Sequence, residues 1–322
     1  MTFLRNFIAA AALAGLSGVA SAGYSGLYIF GDSLSDAGNN AIAIGTDPGQ
    51  VITGNNYIPT FPYASGQYTN GNVWARSFAS AIGLGAYGLP ALGGGGNFAF
   101  GGARTGVDGA PPAYFPPSLK TQTSMYLSAT GGFASANALY VVAGGGNDAR
   151  DTIAAVAANP GNALAIIGAA AASYAFDTGM IVDTLQAAGA QHIVVWNTPN
   201  LGLAPAVNYY GLGSLGSLVA SSMNAALAFR MSSETGVTQF DLYNVLAGYS
   251  FSNTTDACGA PSNAAVCPDV GTSLFWDGIH PTAAGHAALA RSMVAAVVPE
   301  PETYALMLGG LALITWRARR RA

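Results

Sequence analysis

The sequence predicts an α/β fold: a parallel sheet covered by helices on both faces. Three observations carry the expectation. Short apolar runs at 26–30, 97–100, 138–143, 192–196 and 237–242 have the length and composition of strands. Longer alanine-rich segments at 73–82, 163–188, 217–231 and 283–297 lie between and after them and read as helices. Such alternation is the signature of strands joined by crossover helices. The stretch 23–298 is of a length that suits one large domain.

The elements follow in order. Arg5, an apolar region from Phe7 to Val19 and the small residues Ala20-Ser21-Ala22 form a secretory signal, so residues 1–22 are expected to be removed. The first strand-like run then ends in Gly31-Asp32-Ser33, within IFGDSLSDAGNN. That cluster of small polar groups is either a turn capping the next helix or a serine held at the carboxyl end of a strand. Open α/β sheets place their chemistry at that end. Residues 45–71 carry Tyr57, Phe61, Tyr63 and Tyr68 among Gly, Pro and Asn, and residues 109–117 read GAPPAYFPP. These aromatic loops either wall a binding site or pack over the sheet edge. Two strand-like runs end in glycine-rich turns, Gly101-Gly102 and Gly144-Gly145-Gly146-Asn147-Asp148. Cys258 and Cys267 are expected to form a disulfide, because an exported chain folds in an oxidising compartment.

The tail has its own logic. Pro299-Glu300-Pro301 precedes an uncharged segment, 303–316, and four arginines follow it. The segment is shorter than the roughly 20 residues of a bilayer span, and the arginines would hold its end in the cytoplasm. The order of motif, segment and cluster resembles a PEP-CTERM sorting signal, which an exosortase-type enzyme is thought to recognise and remove. The other reading is an ordinary tail anchor. The sorting reading divides the chain into a signal peptide (1–22), one domain (23–298) and a tail (299–322) that holds it transiently in the membrane. It places the protein in the envelope or outside a Gram-negative cell. Between the signals there are 13 acidic and 6 basic residues. That balance excludes nucleic acid as a partner.

Chemistry concentrates around Ser33. Of the three histidines, His192 opens a strand-like run and His286 sits within a helix, so both read as structural. His280 precedes Pro281, which keeps it out of the helix that follows. Asp277 stands three residues earlier, across Gly278. That spacing lets its carboxylate reach Nδ1 and leaves Nε2 free to take a proton from Ser33. The other reading makes Asp277 a helix cap and His280 a surface group. The turns at Gly102 and Asn147 either offer a peptide N–H and a side-chain amide to a developing oxyanion or are simply turns.

Gly31-Asp32-Ser33-Leu34, the Gly102 stretch, Gly146-Asn147-Asp148 and Asp277-x-x-His280 together resemble the four ordered blocks of the GDSL, or SGNH, hydrolases. Asn197-Thr198-Pro199-Asn200-Leu201-Gly202 and Leu274-Phe275-Trp276-Asp277-Gly278 are similar to the lipolytic branch. The resemblance implies a flavodoxin-like three-layer α/β/α sandwich. It implies a catalytic Ser33, His280 and Asp277, and an oxyanion hole from Ser33, Gly102 and Asn147. It further implies an acyl ester as substrate, cleaved by an esterase or lipase, and no cofactor or metal. Asp32 and Asp148 read as turn and network residues. Arg104 and Thr198 depart from the lipolytic branch and bear on substrate size. An O-acetyl ester of an extracellular polysaccharide is the alternative substrate, and a non-catalytic envelope protein the alternative role. A nucleotide-binding oxidoreductase is the rival class, since Gly211-Leu-Gly213-Ser-Leu-Gly216 and Gly83-Leu-Gly85-Ala-Tyr-Gly88 match G-x-G-x-x-G. The first comes too late in the chain for a dinucleotide fold, and the second follows a helix and opens none.

Overall fold

The computed structural model describes residues 23–48, 58–259 and 267–298, with 309, 310, 317 and 319. The signal segment 1–22, Tyr57, and the Pro299-Glu300-Pro301 motif with most of the tail after it lie outside the described residues. The compact unit runs from Tyr24 to Val294.

Four strands form its parallel sheet: β1 (Leu27–Gly31), β2 (Leu139–Ala143), β3 (His192–Trp196) and β4 (Val237–Phe240), paired in that order. Gly31 lies opposite Ala143, so the carboxyl ends of β1 and β2 finish side by side. The helices are α1 (Asn39–Ile44), α2 (Trp74–Ala81), α3 (Leu119–Ala129), α4 (Gly146–Ala158) and α5 (Ala163–Ala187), then α6 (Pro205–Tyr209), α7 (Gly213–Met231), α8 (Leu242–Val245) and α9 (Ala283–Val297).

Side chains alternate across the sheet, as the strand period of two requires. Phe30, Tyr140, Val142, Ile193 and Val195 enter one buried cluster with residues of α3, α4, α5 and α7. Trp196 points the other way. Its ring lies 4.4 Å from that of Trp74 on α2, and its Nε1 donates to Met293 Sδ on α9 at 3.0 Å. Helices therefore cover both faces, and the fold is a three-layer α/β/α sandwich.

The run at 97–100 departs from expectation. It carries only single bridges, yet it is hydrogen-bonded along the free edge of β1. Ile29 N donates to Gly96 O, Phe98 N to Ile29 O and Phe100 N to Gly31 O. Counted as a strand, it gives the order 2-1-3-4-5, the flavodoxin arrangement. Among the described residues its outer edge carries no further strand: Asn97 N donates to Leu89 O and Ala91 N to Asn97 O, and Asn39 Nδ2 donates to Asn97 O and Ala99 O, each at 2.8 Å. The run at 237–242 also ends early, at Phe240, because Asp241 turns to cap α8 by accepting from Asn244 N. A separate two-stranded parallel sheet, β5 (Asn253–Ala257) and β6 (Ser273–Phe275), precedes the Asp277–His280 turn.

Candidate active site

Ser33 stands two residues beyond the end of β1. The turn is tied by Asp32: its carbonyl accepts from Ser35 N and Asp36 N, and its Oδ1 accepts from Leu34 N at 3.0 Å. Gly31 has no room for a side chain, since a Cβ there would meet Ala143 O at 2.7 Å. Gln122 of α3 holds Gly31 from both sides, accepting from its N–H at 2.8 Å and donating to its carbonyl at 2.9 Å. The turn thus projects Ser33 from a backbone fixed on every side, and Ser33 is 8% exposed.

Asp277 and His280 approach Ser33 from the segment between β6 and α9. Asp277 Oδ1 accepts from the backbone N–H groups of Ile279 and His280, at 2.8 and 2.7 Å. The other oxygen, Oδ2, lies 2.7 Å from His280 Nδ1, and His280 Nε2 lies 2.7 Å from Ser33 Oγ. A carboxylate only accepts, so Nδ1 donates to it and Nε2 presents its lone pair to the serine hydroxyl. Asp277 is fully buried and His280 nearly so, which strengthens both bonds by keeping water away.

Three backbone N–H groups belong to the turns at Ser33 and at Gly101-Gly102. Gly101 N–H is committed to Asp36 Oδ2 at 2.9 Å. Gly102 adopts φ +82°, a left-handed conformation that favours glycine, and its N–H has no protein acceptor among the described residues. Ser33 N–H has none either. Asn147, in the first turn of α4, donates one Nδ2 hydrogen to Ala103 O at 2.9 Å. That bond fixes the amide beside the Gly102 turn and leaves its second hydrogen available.

The surroundings of Ser33 form a cavity of about 50 Å³, bordered by Asn147, Arg150, Pro199, Leu201, Ile279 and His280. A neighbouring apolar cavity, also about 50 Å³, shares Leu34, Pro199, Leu201 and Ile279 as its wall and continues to Tyr243, Leu246, Leu274 and Phe275. Asp32 lies under the first cavity. Burial pushes its pKa up to about 6, against the pull of the Leu34 N–H and the nearby His280 and Arg150. Burial also raises that of Asp148, whose carboxylate ties Thr105 by its N–H and hydroxyl. Both are thus network groups, as the sequence suggested. Arg104 pairs with Asp151 rather than with the cavity, and Thr198 is buried, its N–H donating to Asn224 Oδ1.

The aromatic loops divide. Tyr63 and Tyr68 are buried behind the histidine and aspartate instead of walling a cleft. Tyr114 is exposed, and Phe115 packs edge-on against Phe100. Leu34, Pro199, Leu201, Leu274 and Phe275 of the apolar wall lie in the quoted motif stretches, whereas Gln122 and Arg150 carried no readable signal, because no local pattern tells which side chain faces a distant serine. His192 is exposed on β3, and His286 is buried with Nδ1 accepting from Trp74 N, so neither joins the site. The glycine match at 211–216 follows α6, not a strand, and a Cβ at Gly216 would meet Gly202 N at 2.9 Å. Gly213 and Gly216 serve close packing, and Gly211 turns the chain at φ +70°. Asp241, expected within the strand after them, caps α8. Cys258 and Cys267 are joined by a disulfide, with Cα atoms 5.0 Å apart.

An α/β/α sandwich with a serine, a histidine and an aspartate in one hydrogen-bonded line belongs with the hydrolases. The GDSL-like lipase/acylhydrolase model matches residues 27–293, and the chain belongs to that family. A PEP-CTERM protein-sorting motif matches residues 297–321, which marks the chain for export and sorting to the envelope. No curated protein matches the chain. Among solved structures it is similar to an alpha/beta hydrolase enzyme from the metagenome of Lake Arreo, Spain. That likeness has 15% identity and a TM-score of 0.47, covering 87% of this chain and 98% of the other. It is also similar to a carbohydrate acetylesterase from Sinorhizobium meliloti, at 16% identity and a TM-score of 0.43, covering 88% and 99%.

Proposed function

We propose that this chain is an exported serine esterase that cleaves acyl esters through a covalent acyl-enzyme. The observation that carries the reading is the unbroken line Ser33 Oγ, His280 Nε2, His280 Nδ1, Asp277 Oδ2, with both gaps at 2.7 Å. Ser33 Oγ attacks the ester carbonyl while its proton passes to His280 Nε2. Asp277 stabilises the imidazolium and keeps its Nδ1 side occupied. The negative oxygen is held by the Ser33 and Gly102 N–H groups and the second Nδ2 hydrogen of Asn147. His280 then protonates the leaving alcohol, and the Ser33 acyl ester forms. Water, deprotonated by the same imidazole, releases the acid and restores the serine. No step calls for a metal or organic cofactor.

The paired apolar cavities support an acyl group as the part recognised. The cavity around Ser33 alone is small, which favours acetyl as the second reading: an O-acetyl esterase acting on envelope or extracellular polysaccharide. A series of aryl esters of increasing chain length, run beside acetylated glycans, tests both. Activity that peaks above acetyl and ignores glycans supports the acyl esterase. Activity confined to acetyl groups, glycan acetates included, supports the second reading. No turnover of any ester would return the chain to a non-catalytic role. On the same proposal the signal 1–22 directs export. An exosortase-type enzyme then cuts near Pro299-Glu300-Pro301 after the short segment has held the chain in the membrane.

A further inference from the structure

We infer that Tyr63 is a positioning residue for catalysis: its hydroxyl anchors the carboxylate that orients His280. The inference rests on the Ser33–His280–Asp277 reading and adds a fourth member that no sequence block marks. Tyr63 OH donates to Asp277 Oδ2 at 3.0 Å, across 214 residues of chain. This is the oxygen that receives His280 Nδ1–H.

The count of donors explains what the tyrosine does. An ionised carboxylate has about four lone-pair sites. Oδ1 takes two backbone N–H groups, those of Ile279 and His280. Oδ2 takes His280 Nδ1–H and the Tyr63 hydroxyl. All four sites are filled, in a place with no access to water, since Asp277 is 0% exposed. The backbone pair bonds only one oxygen, and rotation about the Cβ–Cγ bond carries both, so that pair alone resists the rotation from one side. The tyrosine fixes that torsion, and with it the direction in which Oδ2 meets the imidazole.

Tyr63 is itself held firmly. Its ring is 5% exposed and packs edge-on to Trp276, the residue before Asp277, with ring centroids 6.1 Å apart. Cys258, half of the disulfide, belongs to the same buried cluster, with Cys267 packed against it. Cys258 N donates to Trp276 O at 3.0 Å, which fastens the cluster to the chain entering Asp277. Five residues on, Tyr68 lies against the His280 ring at 5.2 Å, its hydroxyl accepting from Asn40 Nδ2 at 2.7 Å. One loop thus backs both members of the pair. A residue that only filled space would need the ring and not the hydroxyl.

The test is Tyr63→Phe, which keeps the ring against Trp276, measured alone and in an Asp277→Asn background. Losing a hydrogen bond to a charged group that sets geometry should lower kcat about 10-fold or more, with KM little changed. The thermal midpoint reports whether the fold survives. In Asp277→Asn the hydroxyl has no carboxylate to anchor, so adding Tyr63→Phe should change kcat no further. Two results would overturn the proposal: wild-type kcat in Tyr63→Phe, or an equal fold loss in both backgrounds, which would make the tyrosine merely structural. A fully active Asp277→Asn would be a separate failure, because it refutes the triad reading itself and the tyrosine's role with it.

Discussion

On the proposed mechanism the two amide hydrogens of Asn147 have different tasks, one bracing the turn and one facing the oxyanion. Asn147→Ala removes the tie to Ala103 O and, on the proposed mechanism, one donor to the oxyanion. The expected loss is about 10²–10³ in kcat, the usual cost of one such donor. Steady-state kinetics checks it, and a loss well below that range would mean the amide only braces the turn. His286 offers a stability prediction of known sign. Its ring is fully buried, Trp74 N donates to Nδ1 at 3.2 Å, and Nε2 has no partner among the described residues. Burial, and then the charge of His280, pushes its pKa down from 6.5 to about 3. A lowered folded value means the contribution is present above 6.5 and is lost as pH falls from there toward 3. Burial raises Asp32 and Asp36 from 3.8 to about 6. Their contributions have the opposite sign, present below 3.8 and lost as pH rises through 6. His286→Asn keeps an acceptor for Trp74 N and removes the titrating ring. Thermal melts between pH 8 and 4.5 should show a flatter acid loss in the variant. An unchanged slope would contradict a buried neutral His286.

At the scale of elements, the edge segment 96–100 shows what a sequence reveals and what it hides. Its apolar residues predicted a strand, and the backbone does pair with β1. Its outer edge is closed by a short backbone bridge at 89–91 and by Asn39, 58 and 60 positions away from the carbonyls it caps, and no local pattern signals that. Asn39→Ala leaves Ala99 O and Leu92 N without their side-chain partner, while Asn97 O keeps its bond from Ala91 N. Urea unfolding should show a loss of about 2–3 kcal/mol, the cost of stranding buried polar groups. A change near zero would mean water replaces the amide freely. Elsewhere periodicity decided legibility. The runs that became β1, β2 and β3 were read within a residue or so because each is short, apolar and followed by small polar residues. The helices α3 and α4 went unread. LKTQTSMYLSA has little apolar period, and α4 begins in the Gly146-Asn147-Asp148 stretch that reads as a turn. Strands β5 and β6 are short and rich in Asn, Thr and Ser. Ser33, Asn147, Asp277 and His280 were legible because each sits in a local block whose turn demands small or fixed residues. Tyr63, Gln122 and Arg150 were not, because they reach the site through the fold alone.

For the whole molecule, the disulfide and the C-terminal sorting motif bear on how the chain matures. The Cys258–Cys267 bridge closes a loop with a sequence separation of 9. Loop closure of that size stabilises by about 2–3 kcal/mol. Reduced and alkylated protein should unfold at correspondingly lower urea, and an unchanged midpoint would show that packing alone holds the segment. The tail segment 303–316 has 14 residues. As a helix it would span about 21 Å, against a hydrocarbon core of about 30 Å. A stable anchor would need the bilayer to thin or flanking groups to snorkel. Mass spectrometry of protein from the native host should therefore find a chain ending near Pro299-Glu300-Pro301. A main product that keeps Arg321-Ala322 would identify a tail-anchored enzyme instead. The central claim concerns Ser33, whose hydroxyl stands 2.7 Å from an imidazole able to take its proton. Labelling the protein with a serine-reactive phosphonate and mapping the adduct by mass tests it most directly. The account predicts one adduct, on the peptide containing Ser33, absent in Ser33→Ala and accompanied by loss of ester hydrolysis. An adduct on another residue, or full hydrolysis by Ser33→Ala, would contradict it.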